Sequence, residues 1–245
     1  LKKPLIIGNW KRGMTLSPLS GFPQFRGIDP HKVDGVASIE RKPALLTTAG
    51  TAVQLTRWMV SENSGQIYFV DSAGKLFITT SYLTYSQVQG TSYNSTTEAT
   101  NAHGNGLVYW KGHILRIRDQ LVDAYKISNT TWYYGIMTLN VLRTGINPAI
   151  VGQDDKVYIG NGRYLATITE VGTFDASNSA TWTFSATALT LLQDYAISAL
   201  AELGDNLMLG TVFGTSALNT KIADIFPWDR DTTHSISLPI RFADE

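Results

Sequence analysis

The sequence predicts an all-β protein built from repeated antiparallel sheets of four strands, similar to the blades of a β-propeller. Short apolar runs alternate with Gly, Asn, Asp, Ser and Thr along the whole chain, and helical periodicity is nearly absent. A similar strand-and-turn pattern also returns every 40 to 50 residues. Units of this length with about four strands are typical of propeller blades. We therefore expect about four to five blades.

The predicted strands are rich in Val, Ile, Tyr, Trp and Thr, which suit a pleated, half-buried surface. Residues 187–200 fit either one helix or two strands, and their β-branched residues together with Tyr195 favour two strands. The clearest strand candidates are residues 66–70, 75–79, 107–110, 113–118, 156–159, 164–169, 206–210 and 236–241.

Four segments carry the repeat, and Ile67, Leu107, Val157 and Leu207 align at spacings of 40, 50 and 50 residues. Tight turns follow the first three segments, at residues 71–74, 111–112 and 161–162. Stacked small sheets bury both of their faces and leave only short edges exposed. A β-sandwich is the alternative, since it also strings short strands between turns. The nearly constant spacing favours the propeller.

The repeat also sets the expected domain organisation. We predict an N-terminal arm over residues 1–45 and a propeller-like domain over residues 46–245. An incomplete ring, continued by further parts of a longer polypeptide, fits the same pattern. The predicted repeats lie near residues 50–100, 101–148, 149–198 and 199–245.

Composition narrows the classes of function. The 20 basic and 20 acidic residues balance, so the chain lacks the positive charge typical of nucleic-acid binders. The absence of cysteine excludes disulfides, zinc–thiolate sites and cysteine nucleophiles. No apolar run is long enough for a membrane-spanning helix. We expect no nucleic-acid partner and no membrane span.

Catalytic and metal-binding motifs are not evident. The four histidines, His31, His103, His113 and His234, lack the paired spacing of a metal site, and we predict surface or turn roles for them. We therefore predict no cofactor, no metal and no enzymatic activity. A glycosidase remains the alternative, because folding could bring together the scattered carboxylates of Asp119, Asp123, Glu170 and Asp175.

The candidate binding residues are Trp228, Asp229 and Arg230, where an aromatic ring follows Pro227 and precedes an acid and a base. An alternative is that Asp229 and Arg230 tie a turn together through charge-assisted hydrogen bonds. Tyr93 and His103 are further candidates within the polar tract 90–105, which is either a recognition loop or an ordinary connection.

Other residues have two open interpretations. Asp154 and Asp155 could offer oxygen ligands to calcium or form a polar turn before a strand. The remaining aromatic candidates could stack on sugar rings or pack between sheets. They are Trp110, Trp132, Tyr133, Tyr134 and Trp182.

Two pairs of segments resemble a known group of proteins. Residues 21–29 and 34–39, which contain Gly-Phe-Pro-Gln-Phe-Arg-Gly-Ile-Asp and Asp-Gly-Val-Ala-Ser-Ile, resemble the opening of propeller-like proteins of tailed phages and environmental viruses. Residues 225–230 and 238–241, which contain Ile-Phe-Pro-Trp-Asp-Arg and Leu-Pro-Ile-Arg, resemble a later segment of the same group. The resemblance supplies no active-site residues.

The resemblance implies a non-catalytic structural or binding component of a phage virion or tail, assembled in the host cytoplasm. Its loops would face other virion proteins, further copies of itself or a glycan of the host surface. Two alternatives remain open: a lectin-like propeller that binds carbohydrate outside any virus, and a glycoside hydrolase or lyase.

Overall fold

The structure is a computed structural model of the 245-residue chain. It describes residues 28–33, 36–39, 55–60, 66–71, 74–79, 85–99, 104–142, 147–213, 222–231 and 240–242. The chain divides into two units, Leu1–Leu46 and Thr47–Glu245. In the first unit, the antiparallel strands β1 (Ile28–Val33) and β2 (Val36–Ile39) form a hairpin.

The second unit contains four antiparallel sheets of four strands each among its described residues. The first sheet consists of β3 (Leu55–Val60), β4 (Ile67–Asp71), β5 (Leu76–Thr79) and β6 (Ser86–Gln87). A short helix follows, α1 (Ser95–Ala99). The second sheet consists of β7 (Gly104–Trp110), β8 (His113–Arg118), β9 (Leu121–Lys126) and β10 (Thr131–Thr138).

The third and fourth sheets repeat the plan. The third sheet consists of β11 (Ala149–Val151), β12 (Val157–Asn161), β13 (Tyr164–Glu170) and β14 (Trp182–Thr190), with a 3-10 turn at Ser179–Thr181 before β14. The fourth sheet consists of β15 (Tyr195–Leu203), β16 (Asn206–Phe213), β17 (Ile222–Trp228) and β18 (Ile240–Phe242).

Each sheet is a meander in chain order, and the first strands of successive sheets lie next to one another. Four-stranded meanders that radiate from a shared line of first strands are the arrangement of propeller blades. The predicted all-β, propeller-like fold is confirmed, and the sandwich alternative is wrong. Residues 187–200 contain two strands as predicted, because β14 ends at Thr190 and β15 begins at Tyr195.

The alignment of the repeats contains one error. Ile67, Val157 and Leu207 lie in the second strands of their sheets, whereas Leu107 lies in β7, the first strand of the second sheet. The second strand of that sheet, β8, begins at His113. Both strands of a buried hairpin share one apolar pattern, so sequence alone could not separate β7 from β8. The last repeat also begins earlier than predicted, at Tyr195.

Part of the polar tract 90–105 forms regular structure, whereas the sequence predicted a loop there. Thr91 forms a parallel bridge with Thr131, and α1 follows. The side chain of Asn94 begins the helix, since its Oδ1 accepts from the backbone N–H groups of Thr96 and Thr97 at 3.0 Å each.

The second strands of the second and third sheets, β8 and β12, are buried on both faces because neighbouring sheets cover them. All six residues of β8 are buried. Leu115 and Ile117 pack in the cluster that joins the second and third sheets, while Ile114 packs towards the first sheet. Alternation of side chains across a strand makes this division possible.

Three apolar clusters fill the spaces between successive sheets. The cluster between the second and third sheets includes Leu115, Ile117, Val157, Ile159 and Ile168. The strands approach closely here: a Cβ built on Gly106 of β7 would overlap the backbone carbonyl oxygen of Asn147. Only glycine fits at this position.

A buried ion cluster joins the first and second sheets through Arg116 of β8, whose side chain is 0% exposed. Its guanidinium donates to Glu98 of α1 at 2.7 and 2.9 Å, to Asp123 of β9 at 2.8 Å and to the carbonyl oxygen of Gly74 at 3.1 Å. Asp123 also accepts from Arg118 at 3.0 Å. Burial lowers the pKa of Arg116, but Glu98 and Asp123 outweigh it and raise the pKa. Arg116 therefore stays charged, and its hydrogen bonds to Glu98 hold α1 against the second sheet.

Replacement of this arginine tests the cluster. We expect Arg116→Met to lower the free energy of unfolding by about 3–5 kcal/mol, because it leaves the Glu98 carboxylate buried without its cation. The milder Glu98→Gln should cost about 1–3 kcal/mol. Chemical denaturation followed by tryptophan fluorescence measures both.

Arg163→Met is the matched control, since Arg163 is half-buried and, among the described residues, its guanidinium has recorded contacts with the ring and hydroxyl of the neighbouring Tyr164 alone. It should cost less than about 1 kcal/mol. A loss for Arg116→Met as small as that of the control would contradict the assigned role.

Candidate functional site

A groove of about 650 Å³ lies at one end of the second and third sheets. Its lining comes from three turns: residues 111–113 between β7 and β8, residues 126–128 at the end of β9, and residues 173–181 between β13 and β14. Because antiparallel strands alternate in direction, these three turns lie at the same end of their sheets.

The turn between β7 and β8 sets the floor of the groove. Lys111 and Gly112 have φ angles of 47° and 74°. Two positive φ angles in a two-residue hairpin define a type I′ turn, which glycine favours. His113 follows at once as the first residue of β8, and its side chain is only 2% exposed. The hairpin therefore places an imidazole at the bottom of the groove.

One ring nitrogen of His113 has a hydrogen-bond partner among the described residues and the other has none. Nδ1 lies 2.8 Å from the backbone carbonyl oxygen of Lys111. A carbonyl oxygen only accepts, so Nδ1 carries the proton and Nε2 presents a lone pair in the neutral ring. Nε2 is buried and has no hydrogen-bond partner among the described residues. Burial, and then the charge of Lys126, lower the pKa of His113, so the ring is neutral at physiological pH.

Phe174 supports the imidazole from the third sheet. Its ring meets His113 edge-on at 4.8 Å and lies 4.5 Å from the ring of Trp110. The backbone N–H of Phe174 donates to Glu170 Oε1 at 2.8 Å. The indole N–H of Trp110 donates to the carbonyl oxygen of Asp155 at 3.0 Å. Aromatic packing between the two sheets thus fixes the orientation of His113.

The loop between β13 and β14 forms one wall and is held by its own hydrogen bonds. Asp175 Oδ1 accepts from the N–H and hydroxyl of Ser177 at 2.9 and 2.8 Å. Asn178 Oδ1 accepts from the N–H of Ala180 at 3.1 Å, and the N–H of Asp175 donates to the hydroxyl of Thr181 at 2.9 Å. These bonds form without a ligand, so this wall is preorganised.

Ion pairs connect the walls. Lys126 Nζ lies 2.7 Å from Asp175 Oδ2. Lys111 pairs with both Asp155 and Glu170, its Nζ lying 3.3 Å from Glu170 Oε2. The hydrogen bond from Lys126, and then those from Ser177, lower the pKa of Asp175 far below its usual range. Asp175 is therefore ionised at every pH at which the protein would be studied.

The groove offers both kinds of hydrogen-bonding group. Nε2 of His113 accepts, and the ammonium of Lys126 and the amide N–H₂ of Asn178 donate. The exposed hydroxyl of Ser128 does both. The volume of the groove lies within the range of about 300–1,000 Å³ that is typical of small-molecule sites. A ligand rich in hydroxyl groups matches this set.

The structure places the residues singled out from the sequence outside this groove. Trp228 is buried, and its indole N–H donates to the carbonyl oxygen of Asp231 at 3.2 Å. Arg230 pairs with Glu202 and lies 5.9 Å over the ring of Tyr158. Asp229 Oδ1 accepts from the N–H of Asp231 at 3.0 Å. These contacts match the alternative of a tied turn; binding by Trp228, Asp229 and Arg230 stays a prediction.

The other candidates lie apart from one another. The hydroxyl of Tyr93 accepts from Gln87 Nε2 at 2.7 Å in the first sheet's outer connection, and His103 lies outside the described residues. Trp110 and Trp132 pack in the core. Asp154 and Asp155 lie in the turn between β11 and β12. Their carboxylates pair with Lys156 and Lys111 respectively.

The four carboxylates considered for glycosidase chemistry do not converge on one cleft. Asp123 is buried against Arg116, and Asp119 lies in the turn between β8 and β9. Asp175 lines the groove, while Glu170 faces Lys111 beside it. Across the described part of the chain, no group of three His, Asp or Glu residues is arranged to hold a metal ion.

The groove was not predicted from sequence, because the predicted role for His113 was a surface or turn residue. The structure corrects this: His113 is a buried strand residue. One local signal was present, since a histidine directly after the Lys111-Gly112 turn begins a strand. The loop of residues 173–181, which forms the wall from the third sheet, carries no such signal, because only the packing of the sheets brings it close to His113.

No family model and no curated protein matches the chain. Among solved structures, the extracellular domain of a hybrid two-component system of B. thetaiotaomicron is similar, with a TM-score of 0.49 and 11% identity over 74% of this chain and 26% of that chain. The chain thus spans about a quarter of that protein's length.

Two solved glycoside hydrolases are also similar. An α-L-arabinanase of Cellvibrio cellulosa complexed with arabinohexaose has a TM-score of 0.43 and 10% identity, covering 75% of this chain and 73% of that chain. An α-L-arabinofuranosidase of Clostridium thermocellum has a TM-score of 0.38 and 9% identity, covering 75% and 70% respectively.

These findings correct the main function predicted from sequence. The prediction of a non-catalytic phage virion or tail component is wrong by this comparison, because the similar structures are glycoside hydrolases and extracellular domains. The findings favour the glycoside hydrolase alternative over that prediction, as a similarity of fold alone. The prediction that the protein is not an enzyme loses its support for the same reason. The resemblance to tailed-phage proteins and the virion location stay predictions. Of the helices described, none is long and apolar enough to cross a membrane.

Proposed function

We propose that the protein binds carbohydrate in the groove between the second and third sheets. The observation that carries this proposal is Nε2 of His113, a buried acceptor without a hydrogen-bond partner among the described residues, on a side chain that lines the polar groove. A buried polar atom without a partner costs about 1–3 kcal/mol. A ligand hydroxyl that donates to Nε2 removes this cost, so the free protein is poised to take a donor.

Sugars satisfy the whole groove because each hydroxyl both donates and accepts. One hydroxyl can donate to His113 while its neighbours accept from Lys126 and Asn178. A purely apolar ligand would leave Nε2 of His113 without a partner, at a cost in free energy. The preformed loop of residues 173–181 reduces the ordering cost of binding.

Binding without hydrolysis fits the carboxylates of the groove. Glycoside hydrolysis commonly uses two carboxyl groups, one of which must be protonated to act as the general acid. Asp175 is the one acidic residue in the groove's described lining, and its lowered pKa keeps it ionised. It also accepts three hydrogen bonds from Lys126 and Ser177. Its role is to fix the wall and to accept from the ligand.

Two substitutions test the site on the purified full chain. His113→Phe keeps an aromatic ring against Phe174 but removes the acceptor, and Ser128→Trp fills the groove from an exposed position. We expect each to weaken binding of glycans that the wild type selects on a glycan array by at least about tenfold, equivalent to about 1.4 kcal/mol, in calorimetric titration.

Thr183→Ala is the control, since Thr183 is exposed on β14 away from the groove lining. It should leave affinity unchanged, and circular dichroism should show that Ser128→Trp remains folded. A wild type that binds no glycan, or a Ser128→Trp variant with wild-type affinity, would contradict the proposal. Release of reducing ends from a bound oligosaccharide would favour the hydrolase instead.

The pH dependence of binding gives an independent test. The acceptor exists only while His113 is neutral, and its pKa is lowered from 6.5. Affinity should stay level from pH 8 to pH 6.5 and then decline as His113 takes a proton. Hydrogen bonds from Lys111 to Asp155 and Glu170 raise the pKa of Lys111, and the pKa of Asp175 is lowered, so we expect His113 to be the groove residue whose titration affects binding in this range.

Calorimetric titration across this pH range checks the expectation. His113→Phe should abolish the decline, whatever affinity it retains. Affinity that increases as the pH falls would show that the ring acts as a donor, contrary to the assigned tautomer.

A further inference from the structure

The charged groups around the groove are already paired with one another. Lys126 meets Asp175 at 2.7 Å, and Lys111 meets both Asp155 and Glu170. Asp155 and Glu170 lie outside the groove lining, and together with Asp175 they give three anions against the two cations, a sum of one net negative charge. Although two lysines line the groove, they provide no excess positive charge for an anion.

The uncharged imidazole of His113 also disfavours an anionic ligand. Nε2 of His113 presents a lone pair, and an ionised carboxylate has no proton to donate to it. A carboxylate at this place would leave Nε2 without a partner and set two acceptors against each other. A sugar hydroxyl at the same place donates. The floor therefore discriminates between a hydroxymethyl group and a carboxylate.

Asp175 cannot easily turn away to release Lys126 for an acidic ligand. Its Oδ1 accepts from the N–H and hydroxyl of Ser177, while its Oδ2 accepts from Lys126. The N–H of Asp175 is also held by the hydroxyl of Thr181 at 2.9 Å. The carboxylate is a fixed negative charge in the wall, and fixed like charges disfavour the wrong ligand.

We propose that the groove selects neutral glycans and rejects their uronic-acid counterparts, an inference that rests on the proposed carbohydrate binding. His113 and Asp175 are the two residues that determine this selectivity. His113 requires a hydrogen-bond donor from the ligand. Asp175 repels an anionic ligand and also pairs with Lys126, the cation that such a ligand would need.

The test compares matched neutral and acidic oligosaccharides of equal length and the same linkage: mannan with polymannuronate, and cello-oligosaccharides with their glucuronate forms. Calorimetric titration of the wild-type chain at pH 7.5 and low salt should show the acidic member of each bound pair at least about tenfold weaker. Added salt should reduce this difference by screening the repulsion.

Asp175→Asn is the diagnostic variant. The amide oxygen can still accept from Ser177, so the loop is retained, but the negative charge is lost and Lys126 is left without its anion. We expect the preference for the neutral member to shrink by about tenfold or to reverse. Asp194→Asn is the control, because Asp194 is exposed in the connection between β14 and β15, outside the groove lining, and should leave the preference unchanged.

The outcomes separate the two proposals. Equal or tighter binding of the acidic members by the wild type, or an unchanged preference in Asp175→Asn, would overturn the selectivity and leave carbohydrate binding intact. If neither member of any pair binds, the proposed function itself fails.

Discussion

The face-to-face packing of the second and third sheets is the constraint on which the candidate site depends. Leu115 and Ile117 of β8 meet Val157 and Ile159 of β12 in one apolar cluster. The same packing carries the turn before β8 and the loop after β13 to opposite sides of a groove. Neither turn forms a site alone. The groove exists because two small sheets that must bury their faces leave their turns at one end.

Burial on both faces of β8 forces every polar side chain on it to find a partner. Arg116 donates four hydrogen bonds, to Glu98, Asp123 and the carbonyl oxygen of Gly74, and it joins the sheets through a buried ion cluster. His113 makes one side-chain hydrogen bond, at Nδ1, and its Nε2 has no hydrogen-bond partner among the described residues. Buried polar atoms are nearly always satisfied in folded proteins, so Nε2, one of five buried side-chain atoms without a partner among the described residues, calls for a physical explanation. The same strand thus supplies a structural centre and the proposed binding centre.

Local patterns predicted the fold well because each sheet is a meander of short apolar strands and tight turns. Asn161-Gly162 marks a real hairpin, and residues 187–200 are two strands. The alignment of Leu107 failed because β7 and β8 carry the same apolar pattern. The site was beyond prediction for a different reason. His113 and Asp175 are far apart in sequence, and only inter-sheet packing makes them neighbours, whereas Trp228 looked functional but fills the core.

The protonation of His113 tests the central claim most directly. Long-range ¹H–¹⁵N NMR of the imidazole ring, assigned by comparison with His113→Phe, distinguishes a protonated ring nitrogen from a bare one. We predict a neutral ring at pH 7, with the proton on Nδ1 and a lone pair on Nε2. Binding of a neutral oligosaccharide should change the ¹⁵N signal of Nε2. A ring that is protonated at Nε2 at pH 7, or an Nε2 signal that a bound oligosaccharide leaves unmoved, would contradict this prediction.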